Sequence, residues 1–151
     1  MTTHTAHAPK VEHGQPAAQY AALPWRILEG GVVEVMLVTS RETKRWVVPK
    51  GWPMEDHEPW DAAAREALEE AGVEGEVEAW PLGSYRYDKR LKRGNTRPCE
   101  VQLFALRVER ERKKWPEKSQ RTRQWFSVEA AADAVHEPDL AALIRAFGAR
   151  D

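Results

Sequence analysis

The spacing of apolar residues along the chain switches between a period of two and a period near 3.6, and each switch marks an element. Residues 20–28 and 32–39 are apolar runs of strand length joined at Glu29-Gly30-Gly31, a hairpin turn signal. Trp46-Val47-Val48 forms a third short run, stopped by Pro49. Lys50-Gly51-Trp52-Pro53-Met54 is rich in turn residues and reads as a loop. The clearest helix follows over 59–71. Pro59 suits its first turn, Asp61 favours the positive helix start, and Gly72 suits the position just past the end. Between them, residues 62–71 are almost all good helix formers. Residues 77–87 and 100–108 read as long strands around a basic connection, and 123–128 as one more. Two helical pieces, 128–135 and 138–147, close the chain. The interleaving of strands and helices predicts one mixed α/β domain.

On the helix over 59–71, steps of 100° gather Trp60, Ala64, Ala67, Leu68 and Ala71 on the side expected to pack on a sheet. Glu66, Glu69 and Glu70 fall opposite, at spacings of three and four residues, where each like-charge pair costs about 0.2–0.5 kcal/mol. They also occupy the last turn, next to the negative end of the helix dipole, where cations are preferred. Alone, these carboxylates read as a solvated acidic face. Their misfit with the dipole suggests a second reading, a site for a hard cation such as Mg²⁺ or Mn²⁺, which the surrounding residues favour.

Composition narrows the class. At 42% hydrophobic and 31% charged residues, the chain is globular rather than disordered, and no apolar run approaches a membrane span. Residues 1–18 read as a flexible polar tail without the apolar stretch of a secretory signal, and residues 19–151 as the domain. His4, His7 and His13 lack the spacing of a metal site. The single cysteine, Cys99, reads as a small core residue, excludes an internal disulfide and fits a cytoplasmic location. The formal charge of −1 conceals a segregation: residues 86–123 carry 14 basic and five acidic residues, leaving that segment +9 and the remainder −10. Such a field attracts polyanions.

From Gly51 the chain reads Gly51, five residues, His57, seven residues, then Arg65-Glu66-Ala67-Leu68-Glu69-Glu70-Ala71-Gly72-Val73. This resembles the Nudix box, matching eight of its nine specified positions over 23 residues. The departure is His57, where the family has a glutamate that commonly supports the loop and pairs with the box arginine, here Arg65. The resemblance implies an α/β/α sandwich around a mixed sheet in a single domain. It implies that Glu66, Glu69 and Glu70 are the catalytic and metal-binding residues, with the Gly51 carbonyl as a further ligand and Mg²⁺, or alternatively Mn²⁺, as cofactor. Arg65 and Gly72 would have structural roles. Glu100 is either an extra carboxylate or an ordinary strand-edge residue.

The basic segment, with Pro49-Lys50-Gly51 and the stretch from Trp115-Pro116-Glu117 to Trp125-Phe126, resembles the diphosphoinositol polyphosphate phosphohydrolase branch, which also handles dinucleoside polyphosphates. That resemblance implies a Mg²⁺-dependent phosphoanhydride hydrolase with a polyphosphorylated small molecule as substrate. Lys44, Arg45, Lys50, Arg86, Lys89 and Arg97 are the expected substrate-binding cations, since Arg forks onto phosphates and Lys adds charge. Trp46 and Trp125 read as core residues, and Trp52 and Trp80 as the tryptophans to look for near a ligand. No membrane or nucleic-acid partner is expected, and the oligomeric state is left open. The alternatives are a Nudix pyrophosphatase for nucleotide sugars or RNA 5′ ends, and a non-catalytic domain that binds polyanions or nucleic acid through the +9 segment.

Overall fold

Every second residue of the central strands faces the same way, and the two resulting apolar surfaces take helices on both sides. The structure, a computed structural model, describes residues 15–150. Its strands are β1 (Ala17–Ile27), β2 (Val33–Thr39), β3 (Trp46–Val47), β4 (Lys50–Gly51), β5 (Val73–Val77), β6 (Gly83–Arg90), β7 (Thr96–Glu111) and β8 (Arg123–Ser127). Its α-helices are α1 (Pro59–Glu66), α2 (Val128–Ala134) and α3 (Pro138–Ala149). The sheet is mixed. The long N-terminal strand β1 pairs in parallel with β7, from Ala17↔Cys99 to Trp25↔Arg107. The other edge of β1 is shared between β2, at Trp25↔Val35, and β4, at Tyr20↔Gly51. Beyond β2 lie β3 and β8, and beyond β7 lie β5 and β6.

Ala21, Leu23, Val35, Leu37, Val101, Leu103 and Ala105 form one face with Leu140, Ile144 and Phe147 of α3 and Ala131 of α2. The intervening Ala22, Met36, Val38, Phe104 and Leu106 form the other with Ala63, Ala67 and Ala71. This is the expected α/β/α sandwich, and strands buried on both faces are why the sequence showed near-continuous apolar runs. Cys99 is buried in β7. Trp46 is half-buried edge-to-face on Phe126, and Trp125 is half-buried with the Arg26 guanidinium 4.2 Å from its ring centre.

The strand expected over 100–108 is longer, as β7, and four other differences from the expected boundaries change the architecture. Ala17 and Ala18, assigned to the tail, already lie in β1, because the parallel ladder with β7 holds them. Residues 1–14 of the tail, with His4, His7 and His13, lie outside the described residues. Lys50 and Gly51, read as loop, are a short strand held by Ala21 and Tyr20. The single strand expected over 77–87 is two strands, β5 and β6, on the same edge of β7. The chain loops out between the Glu78 N–H to Ala105 and the Leu82 N–H to Leu103. Pro81, which has no N–H, sits in that loop, with Trp80 86% exposed beside it. The fourth shift, inside the helix over 59–71, belongs to the site.

Candidate active site

The site begins where β4 meets α1. Pairing of Lys50 and Gly51 with β1 carries this short strand against the helix. A Cβ on Gly51 would collide with the Glu66 carboxylate, so glycine is what allows the approach. Pro59 opens α1, but the helix is not α-helical throughout as expected. From Ala67 to Ala71 it widens into a π turn, then ends on Gly72 at φ 67, ψ 30. Such turns disturb the regular hydrogen-bond ladder and recur at functional sites. Here the carbonyls at its end have donors from outside: Glu117 N–H to Glu69 (3.0 Å), Trp115 Nε1–H to Glu70 (3.2 Å), Arg123 Nη1–H to Ala71 (3.0 Å) and Arg112 N–H to Gly72 (2.8 Å).

The buried side of this helix is also rotated from expectation. Ala62, Ala63, Glu66, Ala67, Glu70 and Ala71 are buried, whereas Trp60, Ala64 and Leu68 are only half-buried. Small alanines let the helix lie close to the sheet, and that carries Glu66 and Glu70 inward, each only 6% exposed. Both line a cleft of about 1050 Å³ whose walls come from the β2–β3 loop, β4, β6, the 117–121 segment and the start of α3.

Two buried carboxylates in one cleft raise the cost of ionisation. Burial, then the Glu70 and Glu69 charges, push the Glu66 carboxyl up to about 8. Burial also raises Glu70, to about 7, against the opposing pull of Arg121 and Lys50. The Lys50 ammonium is lowered by desolvation at the cleft floor, with Glu70 pulling it back. Glu70 accepts from the Lys50 N–H (3.4 Å) and lies 3.8 Å from Arg121 Nη2, whereas Glu66 has no hydrogen bond among the described residues. A buried carboxylate without a partner is costly and calls for a cation. Among the described residues no three carboxylates converge around one point. The donor set that fits a hard divalent ion is therefore Glu66 and Glu70, with the adjacent Gly51 backbone.

The other expected residues divide. Arg45, Lys50, Arg86 and Lys89 line the cleft; Lys44 and Arg97 do not. Lys44 sits in the exposed β2–β3 turn at φ 55, and the Arg97 guanidinium packs 5.5 Å from the ring centre of Trp52. Glu69 also lies outside the cleft: its carboxylate accepts from Arg65 Nε at 3.0 Å, the natural partner one turn earlier. With histidine in place of the box glutamate, Arg65 pairs forward along its own helix. His57 is half-buried, with Nδ1 3.0 Å from the Glu55 carbonyl, and lines a second, smaller cleft with Arg65, away from Glu66 and Glu70. Glu100 faces Arg86 at 3.8 Å and Ser84 at 3.4 Å, an ordinary strand residue outside the cleft. Gly72 has the left-handed conformation expected of a helix terminator. Trp52 lines the cleft and Trp80 does not.

Sequence reasoning missed Gln19, Tyr87, Glu117 and Arg121, which also line the cleft. The Tyr87 hydroxyl donates to Gln19 Oε1 at 2.6 Å, with the Lys50 ammonium 5.0 Å from the Tyr87 ring centre. Glu117 and Arg121 form a 2.8 Å ion pair. Their four-residue spacing, acid first, was a legible signal for it.

A mixed sheet between helices thus carries a glycine strand and a glutamate-bearing helix end that open on one cleft. The NUDIX domain family matches residues 25–147, and the chain belongs to that family. It is 35% identical over 112 residues to the mitochondrial Nudix hydrolase 16 of Arabidopsis thaliana, covering 72% of this chain and 62% of that protein. It is 34% identical over 110 residues to diphosphoinositol polyphosphate phosphohydrolase 3-beta of Bos taurus, covering 70% and 63%. The chain thus spans a little over three-fifths of the length of each of these curated relatives. Among solved structures, the fold is similar to the C. elegans Ap4A hydrolase binary complex, with a TM-score of 0.64 and 22% identity over 87% of this chain and 95% of that one.

Proposed function

We propose that the protein is a Mg²⁺-dependent hydrolase of phosphoanhydride bonds, with diphosphoinositol polyphosphates as its preferred substrates. The observation carrying this reading is the pairing of two buried carboxylates, one of them without a hydrogen bond among the described residues, with a rim of cations. Glu66, Glu70 and the Gly51 carbonyl would hold the divalent ion, which when bound screens phosphate charge and lowers the pKa of a coordinated water. Mn²⁺ fits the same oxygen donors. Glu66, whose carboxylate has no hydrogen bond among the described residues, takes the proton of the attacking water. Arg45 on one rim and Arg86 and Lys89 on the other grip phosphates, and Lys50 adds charge at the floor.

The aromatic content of the cleft favours a phosphate-dense substrate over a nucleotide. Both aromatic rings that line it already carry cations: Tyr87 carries Lys50 at 5.0 Å, and Trp52 carries Lys89 at 5.7 Å and Arg97 at 5.5 Å. The cleft is thus better supplied with charge than with a free stacking platform for a base. Similarity to the bovine diphosphoinositol polyphosphate phosphohydrolase supports the same choice. The cytoplasmic location expected from the single cysteine remains part of this proposal.

The test is a panel of diphosphoinositol pentakisphosphate, diadenosine polyphosphates, nucleotide sugars and triphosphorylated RNA, each with Mg²⁺. Fastest release of phosphate from the inositol substrate is expected. Faster cleavage of a purine-bearing member overturns the substrate assignment, and no cleavage of any overturns the activity.

A further inference from the structure

The segment between β7 and β8 grips the box helix at both ends of one residue. The Trp115 indole N–H donates to the Glu70 carbonyl at 3.2 Å, and the ring covers Gly72 so closely that an added Cβ would lie 2.5 Å from Trp115 Cδ2. Two residues on, the Glu117 N–H donates to the Glu69 carbonyl at 3.0 Å. Four residues further, Arg121 reaches the Glu70 carboxylate with Nη2 at 3.8 Å. Backbone and side chain of Glu70 are therefore tied to the same short stretch.

Arg121 donates hydrogen bonds from two of its nitrogens and faces a carboxylate with the third. Nε donates to Glu117 Oε1 at 2.8 Å, Nη1 donates to the Thr39 carbonyl at 3.1 Å, and Nη2 faces Glu70. Its side chain is only 10% exposed, although it borders the cleft. A guanidinium that already faces two carboxylates has its charge matched before a substrate phosphate arrives. Its fork instead fixes Glu117 and Glu70 relative to the sheet. Thr39 closes the arrangement, since its hydroxyl accepts from the Thr122 N–H at 2.9 Å.

We propose that residues 115–121 form a strap that positions Glu70, with Arg121 and Trp115 as positioning residues rather than substrate contacts. The inference rests on the reading of Glu70 as a metal-holding carboxylate. Trp115 holds the π turn open at the Glu70 carbonyl, and Arg121 aims the carboxylate from the other side.

Two variants separate this from a merely structural role. Trp115→Phe keeps an aromatic ring beside Gly72 while removing the N–H donor and part of the ring surface, and Arg121→Gln removes the fork. In the full chain, kcat is expected to fall about 10–10²-fold in each, the scale for misplacing a catalytic group by about an ångström, while KM for diphosphoinositol pentakisphosphate stays within about threefold. Mn²⁺ alone, titrated without substrate, should bind about tenfold more weakly to Trp115→Phe. If Arg121→Gln does not fold, Arg121→Lys, which keeps the charge without the fork, is expected to show the same kcat loss to a smaller extent. A rise in KM at unchanged kcat would make Arg121 a substrate contact and overturn the proposal, as would unchanged kcat and Mn²⁺ affinity in folded Trp115→Phe. Should the parent protein cleave no member of the substrate panel, the functional reading fails, and the Mn²⁺ series still decides the strap.

Discussion

Glu66 and Glu70 set the chemistry at the scale of single residues, because burial rather than sequence spacing makes them unusual. Glu66→Gln and Glu70→Gln are each expected to lower kcat by at least about 10²-fold, whereas Glu69→Gln, which breaks only the pair with Arg65, should cost less than about tenfold. Single-turnover rates on folded protein check this ordering. The same burial makes stability depend on pH. Both carboxyls bind a proton more tightly folded than unfolded, with Glu66 near 8 and Glu70 near 7 against an ordinary 4.5. Their contribution to metal-free stability is therefore greatest below about pH 4.5 and declines as pH rises towards 8. Mg²⁺ binding to the ionised pair should offset the decline, so the gap in Tm between Mg²⁺ and EDTA should be wider at pH 8 than at pH 5. A gap that narrows with pH would contradict the assignment.

Among elements, the helix ends carry the testable energetics. Ser127 caps α2 by accepting from the Ala130 N–H at 3.1 Å, and Ser127→Ala should cost about 1 kcal/mol. Gly72→Ala should cost more, at least about 1–3 kcal/mol, since φ 67 is strained for alanine and the new methyl meets Trp115. Denaturant midpoints of the two variants measure the difference. This scale also shows what the sequence could tell. Pro59, Asp61 and Gly72 marked the helix because caps and propensities act locally. The π turn was invisible, because the donors on its carbonyls come from Arg112, Trp115, Glu117 and Arg123, 40 to 52 residues away. The rotation of the buried face was hidden for a similar reason. An amphipathicity argument puts glutamates outside, and only a site that needs carboxylates indoors reverses it. Arg45, Lys50, Arg86 and Lys89 were legible as a basic cluster, but the exclusion of Lys44 and Arg97 depends on loop geometry and on the Trp52 ring.

For the whole molecule, charge segregation becomes a cleft with cations on two rims and carboxylates on its floor. Attraction of a highly charged substrate should then weaken with ionic strength. KM is expected to rise at least about tenfold between 50 and 300 mM salt, with kcat little changed. Arg45→Glu and Lys89→Glu should raise KM more than Lys44→Glu, which lies outside the cleft; equal effects would show that bulk charge, not the rim, attracts the substrate. Parallel pairing of β1 with β7 has a consequence of another kind. Ala17 waits for Cys99, 82 positions later, before its ladder can close. At a synthesis rate of about 5–20 residues per second, the edge of β1 that β7 will cover stays open for several seconds after β1 is made. During that interval this edge can pair with another nascent chain, a hazard that closure of the β1–β7 ladder removes.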